Sequence, residues 1–377
     1  MTKDLLMYTR EKNLINDSFY HARKFVRLPL NQQVGDELKE EAYIQCLKQI
    51  KENPDPQKLD LAWSTLCILA SSYLPSTSNN RLFHSILNHL FVESKLNAFN
   101  PKIAQRCEYI YCHLYNTSIV NRIEIPSKKE MLYIEKMRPI ILPIYLFSGD
   151  YIYFSFESYH TIKDIKQNLI IKLGINPMRY NYFGFYEICD KEDVIEERFL
   201  DDSRLLSDVL SVWEHTENLE ENQNKKIDFK IYLKIKYYYQ IGDEDIDTIS
   251  LSYYQILYKF LKGRLNMEEK YIISLSALKL LGEFSINREL AYENLDRKLE
   301  NYIPSNLFNT NPRQYWIQKV MEFYTNLTDY SSVEAQKNFI DISMKDPLTN
   351  SHQIIVEVFN IKNLYIFVKN HIFQLTI

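Results

Sequence analysis

Each of the seven glycines in this 377-residue chain is followed by Asp, Asp, Ile, Phe, Asp, Arg or Glu in turn, and none by lysine. A loop that cradles nucleotide phosphates presents backbone N–H groups from a glycine-rich turn ending in Gly-Lys-Ser/Thr, so a nucleotide-driven motor of that kind is excluded. A phosphatase built on a cysteine nucleophile needs an arginine six positions further on to hold the phosphoryl oxygens. The residues six positions after Cys46, Cys67, Cys107, Cys112 and Cys189 are Glu52, Tyr73, His113, Ser118 and Ile195, which excludes that enzyme too. Cys107 and Cys112 fall on different faces of a helical pattern and make a poor metal clip. All five cysteines read as small apolar side chains, and their odd number without close pairing fits a reducing compartment. The eight histidines are scattered; His84 and His89 do not share a helical face, and no His-Glu-x-x-His occurs. The run Asp243-Glu244-Asp245-Ile246-Asp247 lacks the central glycine and distal glutamate of a calcium loop and reads as a solvated linker. The carboxyl-terminal Leu375-x-Ile377 fits a PDZ-type ligand only in the most permissive sense. No catalytic, cofactor or metal site is expected, and the chain does not read as an enzyme.

What remains is charge arranged for contact. Met1–Leu30 holds six basic residues, among them Arg23, Lys24 and Arg27 on one stretch, against Asp4, Glu11 and Asp17. Glu187–Glu221 holds thirteen acidic residues against three basic ones. Lys225, Lys226, Lys230, Lys234 and Lys236 form a second basic cluster. Charge runs are commonly solvated faces. Read as sites, the basic N-terminal stretch would meet an acidic partner, such as a microtubule surface or anionic lipid, and the acidic stretch would favour a basic peptide. The overall net charge of −4 gives no reason to expect nucleic acid as a partner.

The elements behind these residues change character along the chain. With 46% hydrophobic and 25% charged residues, the composition is that of a core-forming protein. In Leu38–Gln49, Leu38, Ala42, Cys46 and Gln49 share one helical face, with Tyr43, Leu47 and Ile50 beside them. Leu59–Tyr73, closed by Pro75, has too few polar positions for a surface helix and must lie in a core. Leu61–Asn80 is free of charge, but its apolar part is too short, and with Ser64, Ser71 and Ser72 too polar, to span a membrane. Charged residues around Leu5-Leu6-Met7 argue against a secretory signal. Leu82, Phe83, Ile86, Leu87, Leu90 and Phe91 give one amphipathic helix, and Ile103, Cys107, Ile110, Tyr111 and Leu114 another, with Pro101 near its start.

At Pro139 the pattern becomes β-rich. Ile140–Phe147 and Tyr151–Glu157 read as strands around a Ser148-Gly149-Asp150 turn. Thr161-Ile162-Lys163-Asp164 is a capping box opening a helix ended by Gly174. Asn181–Ile188 and Phe229–Tyr239 read as later strands, the order of a ubiquitin-like fold. From Ser250 the helical period returns. Asn311-Pro312 reads as a helix start with asparagine as cap, and Ser331 with Glu334 as a second capping box. Ile354–Phe359 and Leu364–Ile377 read as two final strands joined at residues 360–363. Such a hairpin is marginal in water, and Ile366, Val368, Ile372 and Phe373 would need a partner surface.

The first helices carry a specific order of residues: Leu38, Glu40-Glu41, Tyr43, Gln45, Asn53-Pro54, the Trp63 helix ending at Pro75, then Arg122 and Pro126-Ser127-x-x-Glu130. This order resembles the myosin tail homology 4 (MyTH4) domain. The ubiquitin-like unit followed by helices resembles the first two lobes of a FERM domain. Leu233, Lys236, an acidic loop, Leu251-Ser252-Tyr253-Tyr254-Gln255 and the Ala277, Leu278, Leu281 helix carry that resemblance. It implies a multidomain chain, mainly α with α+β. A helical MyTH4 domain would span 1–137 and a ubiquitin-like β-grasp lobe 138–240. An acyl-CoA-binding-protein-like helical lobe would span 248–345, and a truncated, pleckstrin-homology-like third lobe 346–377.

The resemblance further implies a non-enzymatic cytoskeletal adaptor or cargo-binding tail, like those of unconventional myosins, that is cytoplasmic and cytoskeleton-associated. Expected partners are actin or microtubules, motor-associated cargo proteins and an anionic membrane surface. One alternative is a kinesin-type tail binding microtubules directly. Another is acyl-ligand binding by the helical lobe, although no polar cluster there suits a phosphate-bearing head group. The groove between the helical domain and the ubiquitin-like lobe is the expected binding place, lined around Arg122, Pro126, Glu130 and Arg138, with Arg23, Lys24 and Arg27 as the filament-facing cations.

Overall fold

The structure is a computed structural model describing residues 2–9, 18–30, 36–51, 53–75, 80–96, 100–117, 122–191, 194–221, 227–236, 246–327, 330–346, 349, 364–368 and 371–375. Met1–Tyr258 and Lys259–Ile377 are two separate compact units.

Among the described residues, the first unit begins with seven helices: α1 (Thr2–Tyr8), α2 (Ser18–Leu30), α3 (Asp36–Ile50), α4 (Pro56–Ala70), α5 (Asn80–Leu96), α6 (Pro101–Thr117) and α7 (Lys128–Glu135). Helix α4 is their hub. Asp55 caps it by accepting from the N–H groups of Gln57 and Lys58, and Pro56 occupies the first turn, where its missing N–H costs nothing. Every residue from Leu61 to Ala70 is buried, so the apolar character of that stretch is its packing requirement. The polar residues within and just after it are accommodated locally: Ser64, Thr65, Ser71 and Ser72 donate to the carbonyls of Asp60, Leu61, Ile68 and Ile68. Ala42, Tyr43, Cys46 and Ile50 of α3 pack on α4, as the spacing of α3 requires, and Tyr43 also donates to the Tyr73 carbonyl at 2.7 Å. Four of the five cysteines are buried and Cys112 is partly so.

A mixed sheet follows. Its strands β1 (Ile140–Tyr145), β2 (Tyr151–Phe156), β3 (Phe183–Lys191), β4 (Val194–Leu200) and β5 (Ile227–Ile235) lie in the order β2-β1-β5-β3-β4, with only the central β1–β5 pair parallel. Gly149, at φ 95, makes the turn between β1 and β2 that an L side chain would strain. Helices α8 (Ile162–Lys172) and α9 (Leu206–Glu221) bring Ile165, Leu169, Val209 and Trp213 into one core with Phe183, Phe185, Ile231 and Leu233. The capping box of α8 forms as the sequence requires. Strand β4 and helix α9, both inside the acidic stretch, are additions to the sequence expectation. Helix α10 (Ile246–Leu261) is anchored by Gln255, whose amide bonds both the N–H and the carbonyl of Ile235 at 2.8 and 2.9 Å.

The second unit contains α11 (Glu269–Phe284), α12 (Arg288–Arg297), α13 (Arg313–Thr325) and α14 (Ser332–Ser343). The buried helix α11 packs against α13 and α14, and the Ser331–Glu334 capping box opens α14. The start of α13 corrects the sequence expectation: Pro312 itself holds the cap position without a side-chain bond, and Asn311 lies outside the helix. The C-terminal expectation is corrected too. Leu364–Ile377 is not one strand but the hairpin β6 (Leu364–Val368) and β7 (His371–Leu375), while the expected strand 354–359 lies outside the described residues. Among the described residues, no helix is long and apolar enough to cross a membrane.

Candidate functional site

The candidate site is the junction at which the helical bundle meets the sheet. Ser127 caps α7 by accepting from the Glu130 N–H, which orients Glu130 inward. There its two carboxylate oxygens take a two-pronged bond from Arg122, both arms at 2.6 Å. The same guanidinium donates to the carbonyls of Glu124 and Ser71 and stands 3.3 Å from the Asp208 carboxylate of α9. From the sheet side, the Ser158 hydroxyl donates to Glu130 at 2.6 Å, and Asp208 accepts the N–H groups of Ile123 and Glu124. Ser207 fixes Ser158 by donating to its carbonyl. An ion pair buried this deeply holds only when its remaining donors and acceptors are matched, and here they are.

Burial works against the Arg122 charge, but Glu130 and then Asp208 outweigh it, so its pKa is raised. At Asp208 burial wins: its carboxyl is lifted above the ordinary range, with Arg122 and the Ile123 and Glu124 N–H groups offsetting part of the shift.

A second contact lies at the rim. Glu214 of α9 accepts from Arg23 of α2 at 2.7 Å and from the Lys128 N–H at 2.6 Å. A third is aromatic. His113 of α6 stacks on Tyr109 at 3.7 Å and meets Tyr159, beyond β2, edge-on at 4.9 Å. Its Nδ1–H donates to the Tyr109 carbonyl at 2.9 Å, and its Nε2 lies 4.0 Å from Glu157. Burial lowers its pKa to about 4, so the ring is neutral at pH 7. Burial also lowers His160, which accepts the Glu157 N–H, and raises Glu157.

The sequence-derived residues divide on this geometry. Arg122, Pro126 and Glu130 are buried, which corrects the expectation that they line an open groove: the two charges need each other once out of water. Arg138 is exposed. Arg23 is held by Glu214, whereas Lys24, 3.8 Å from Asp4, and Arg27 are exposed on α2. Sequence reasoning missed Ser158, Asp208, Glu214 and His113. The cross-junction partners of all four, such as Tyr159 for His113, are tens of residues away, so no local spacing signals them.

A MyTH4 domain model matches residues 31–132, an RA-like domain model 138–237 and a FERM central domain model 244–352. The chain therefore carries a MyTH4 domain followed by the RA-like and central lobes of a FERM domain, the arrangement of the MyTH4–FERM tails of myosin VII and kinesin-14 proteins. It is 25% identical over 337 residues to the kinesin-like protein KIN-14I of Oryza sativa subsp. japonica, covering 84% of this chain and 26% of that one. The MF1 MyTH4–FERM domain of Dictyostelium discoideum myosin VII (mutant 2) superposes with a TM-score of 0.76 at 20% identity, over 93% of this chain and 70% of that one. The C-terminal MyTH4–FERM domain of human myosin 7b, solved in complex with the harmonin-a PDZ3 domain, gives 0.73 at 17% identity, over 92% and 69%. The chain spans about a quarter or less of the length of the curated relatives it matches. The matched domains are non-catalytic tail modules, and no motor domain is among them.

Proposed function

We propose that this chain is a cargo-binding tail module or cytoskeletal adaptor that joins actin- or microtubule-based motors to partner proteins or membranes. It would work in the cytoplasm, associated with the cytoskeleton, without turning over a substrate. The sequence-derived boundaries, 1–137, 138–240, 248–345 and 346–377, are part of this proposal. The observation that carries it is the closed Arg122–Glu130–Asp208–Ser158 cluster, which makes the MyTH4 bundle and the RA-like lobe one body with a shared surface. A rigid composite surface suits a protein partner, because little conformational freedom is lost on binding. The complex of human myosin 7b with a PDZ domain is consistent with such a role. Co-precipitation from cells under tagged full-length chain is expected to recover motor or cytoskeletal subunits together with cargo proteins. Recovery of neither would overturn the reading.

A second reading, direct microtubule binding, is favoured by the kinesin relative and by the exposure of Lys24 and Arg27 on α2. Pelleting with microtubules but not actin, weakened by salt and by Lys24→Glu with Arg27→Glu, is its expected outcome. Pelleting that ignores salt, or none, contradicts it.

A further inference from the structure

Cross-strand register sets Tyr151, Tyr145, Tyr232, Tyr186 and Phe199 in one aromatic row across the outward face of the RA-like sheet. Lys230, Lys234 and Lys236 lie over the Tyr145, Tyr186 and Phe199 rings, so the row is accounted for as sheet packing. One corner of the junction is not accounted for in this way. The turn 157–160, between β2 and α8, leans on two imidazoles whose hydrogen bonding requires them uncharged. His113 of α6 places its Nδ1–H on the Tyr109 carbonyl, and among the described residues its buried Nε2 has no hydrogen-bond partner. The Glu157 carboxylate stands 4.0 Å from that nitrogen, beyond bonding distance. His160 accepts the Glu157 N–H on its Nδ1 at 3.0 Å, a bond that needs the lone pair of the ring.

Protonation defeats both arrangements. A second proton on His113 sits on Nε2 with no acceptor in reach, in a ring 2% exposed and held between Tyr109 and Tyr159. A proton on His160 Nδ1 turns the acceptor of the Glu157 N–H into a donor facing a donor. The surrounding charges do not reverse this. Arg122 and His160 disfavour a positive charge on His113. Glu130 favours one, but its oxygens are already held by Arg122 and Ser158. On α9, Asp208 is taken up by Arg122 and by the Ile123 and Glu124 N–H groups. Burial draws Glu157 toward its neutral form. Beside His160, Asp164 favours the charge, but it accepts from the Thr161 N–H and hydroxyl, and burial prevails. Tyr109, Tyr159 and Cys112, all raised by burial, stay uncharged.

We propose that the His113–His160 corner is an acid-released latch in the junction: mild acid frees the turn 157–160 from α6 while the bundle and the sheet each stay folded. The inference rests on the one-body reading above and adds to it a regulation of that same junction. A charged His113 must swing toward water, which unpacks its ring from Tyr159. A charged His160 drops the Glu157 N–H on the other side of the same turn. Ser158 still donates to Glu130, and Ser207 to the Ser158 carbonyl, so the turn stays tethered and the release is local. Two histidines that fail in the same direction make the corner more sensitive to acid than either alone.

Hydrogen exchange of the full chain at pH 7 and pH 5 tests the proposal, read as protection factors so that the intrinsic pH dependence of exchange cancels. Protection over 157–160 and over 109–117 of α6 is expected to fall about tenfold or more at pH 5, while α4 remains the more protected element. His113→Gln combined with His160→Asn, uncharged at both pH values, should keep protection at 157–160 constant. NMR titration of the imidazole carbons in the unsubstituted chain gives a reading that no misfolded variant can spoil: His113 should take up its proton over the range in which protection falls. Protection at 157–160 that ignores pH, the same fall in the double variant, a His113 titration outside that range, or equal protection of the turn and α4 at pH 5 would overturn the proposal. Open-coil exchange of Ile123 and Glu124 already at pH 7 would instead overturn the one-body reading, and the latch with it.

Discussion

The RA-like lobe meets its surroundings through two regions of opposite design. Toward the MyTH4 bundle it presents charge, and that charge is enclosed: Arg122, Glu130 and Asp208 satisfy one another, with Ser158 and four backbone groups completing the cluster. On its outward sheet face it presents aromatic surface that is left partly open, with its lysines largely matched at short range. The difference separates two jobs that look alike in a sequence. A buried charge with a fixed partner is poor material for recognising something new, because the pair would have to be broken first. An exposed ring has no such cost. On this comparison the charged motif residues join the two domains, and the aromatic row is left partly open to solvent.

Breaking the enclosed cluster has the largest expected effect. Arg122→Ala strands Glu130 in a buried site and should cost about 3–5 kcal/mol, read as a lowered midpoint in chemical denaturation. Replacing Arg122 and Glu130 together by Met and Leu should recover part of that loss, because Glu130 is no longer stranded while Asp208 keeps the N–H groups of Ile123 and Glu124. Equal effects of the single and double changes would show that the pair is not the source of the stability.

Acid is the next probe. The folded-state pKa of His113, about 4, lies below its ordinary 6.5, so its contribution is fully present above pH 6.5 and is lost as pH falls toward 4. The loss amounts to about 3 kcal/mol. His160 acts in the same sense. Asp208 and Glu157 oppose them: their raised pKa values favour the folded state as pH falls through the folded carboxyl range. Denaturation midpoints measured from pH 7 to 5 should therefore decline in the native chain and stay nearly flat in His113→Gln.

Two smaller effects sharpen the contrast. Arg23 and Glu214 are partly exposed, so Arg23→Ala should change stability by only about 0.2–1 kcal/mol, and less at high salt, as a denaturation titration would read. Tyr151→Ser and Phe199→Ser should each cost about 1 kcal/mol or less in thermal melts, since each removes one cross-strand contact from a partly open row. A multi-kcal loss there would mean that the row is core and not surface.

Much of the fold was legible because local rules and tertiary packing agree. The apolar run of α4 is buried throughout, and the capping boxes at Thr161–Asp164 and Ser331–Glu334 form. Strand β4 and helix α9 were hidden by the acidic composition of their stretch. The apolar positions that give them away, such as Leu200, Leu206, Val209 and Trp213, face the core between exposed charges. Arg122 and Glu130 were legible as motif residues, but their burial was not. Spacing shows that two residues can meet, not that Asp208 and Ser158 arrive from another lobe to enclose them. The aromatic row depends on register across five strands, one of them unread, so no linear pattern announces it.

Hydrogen exchange across Ile123–Lys128 tests the central claim most directly. The N–H groups of Ile123, Glu124 and Lys128 all donate to carboxylates of α9, across the junction. If the bundle and the RA-like lobe are one body, these amides exchange far more slowly than open coil, and Asp208→Asn with Glu214→Gln speeds them while α4 stays protected. Exchange at the open-coil rate in the native chain, with α4 still protected, would contradict the account.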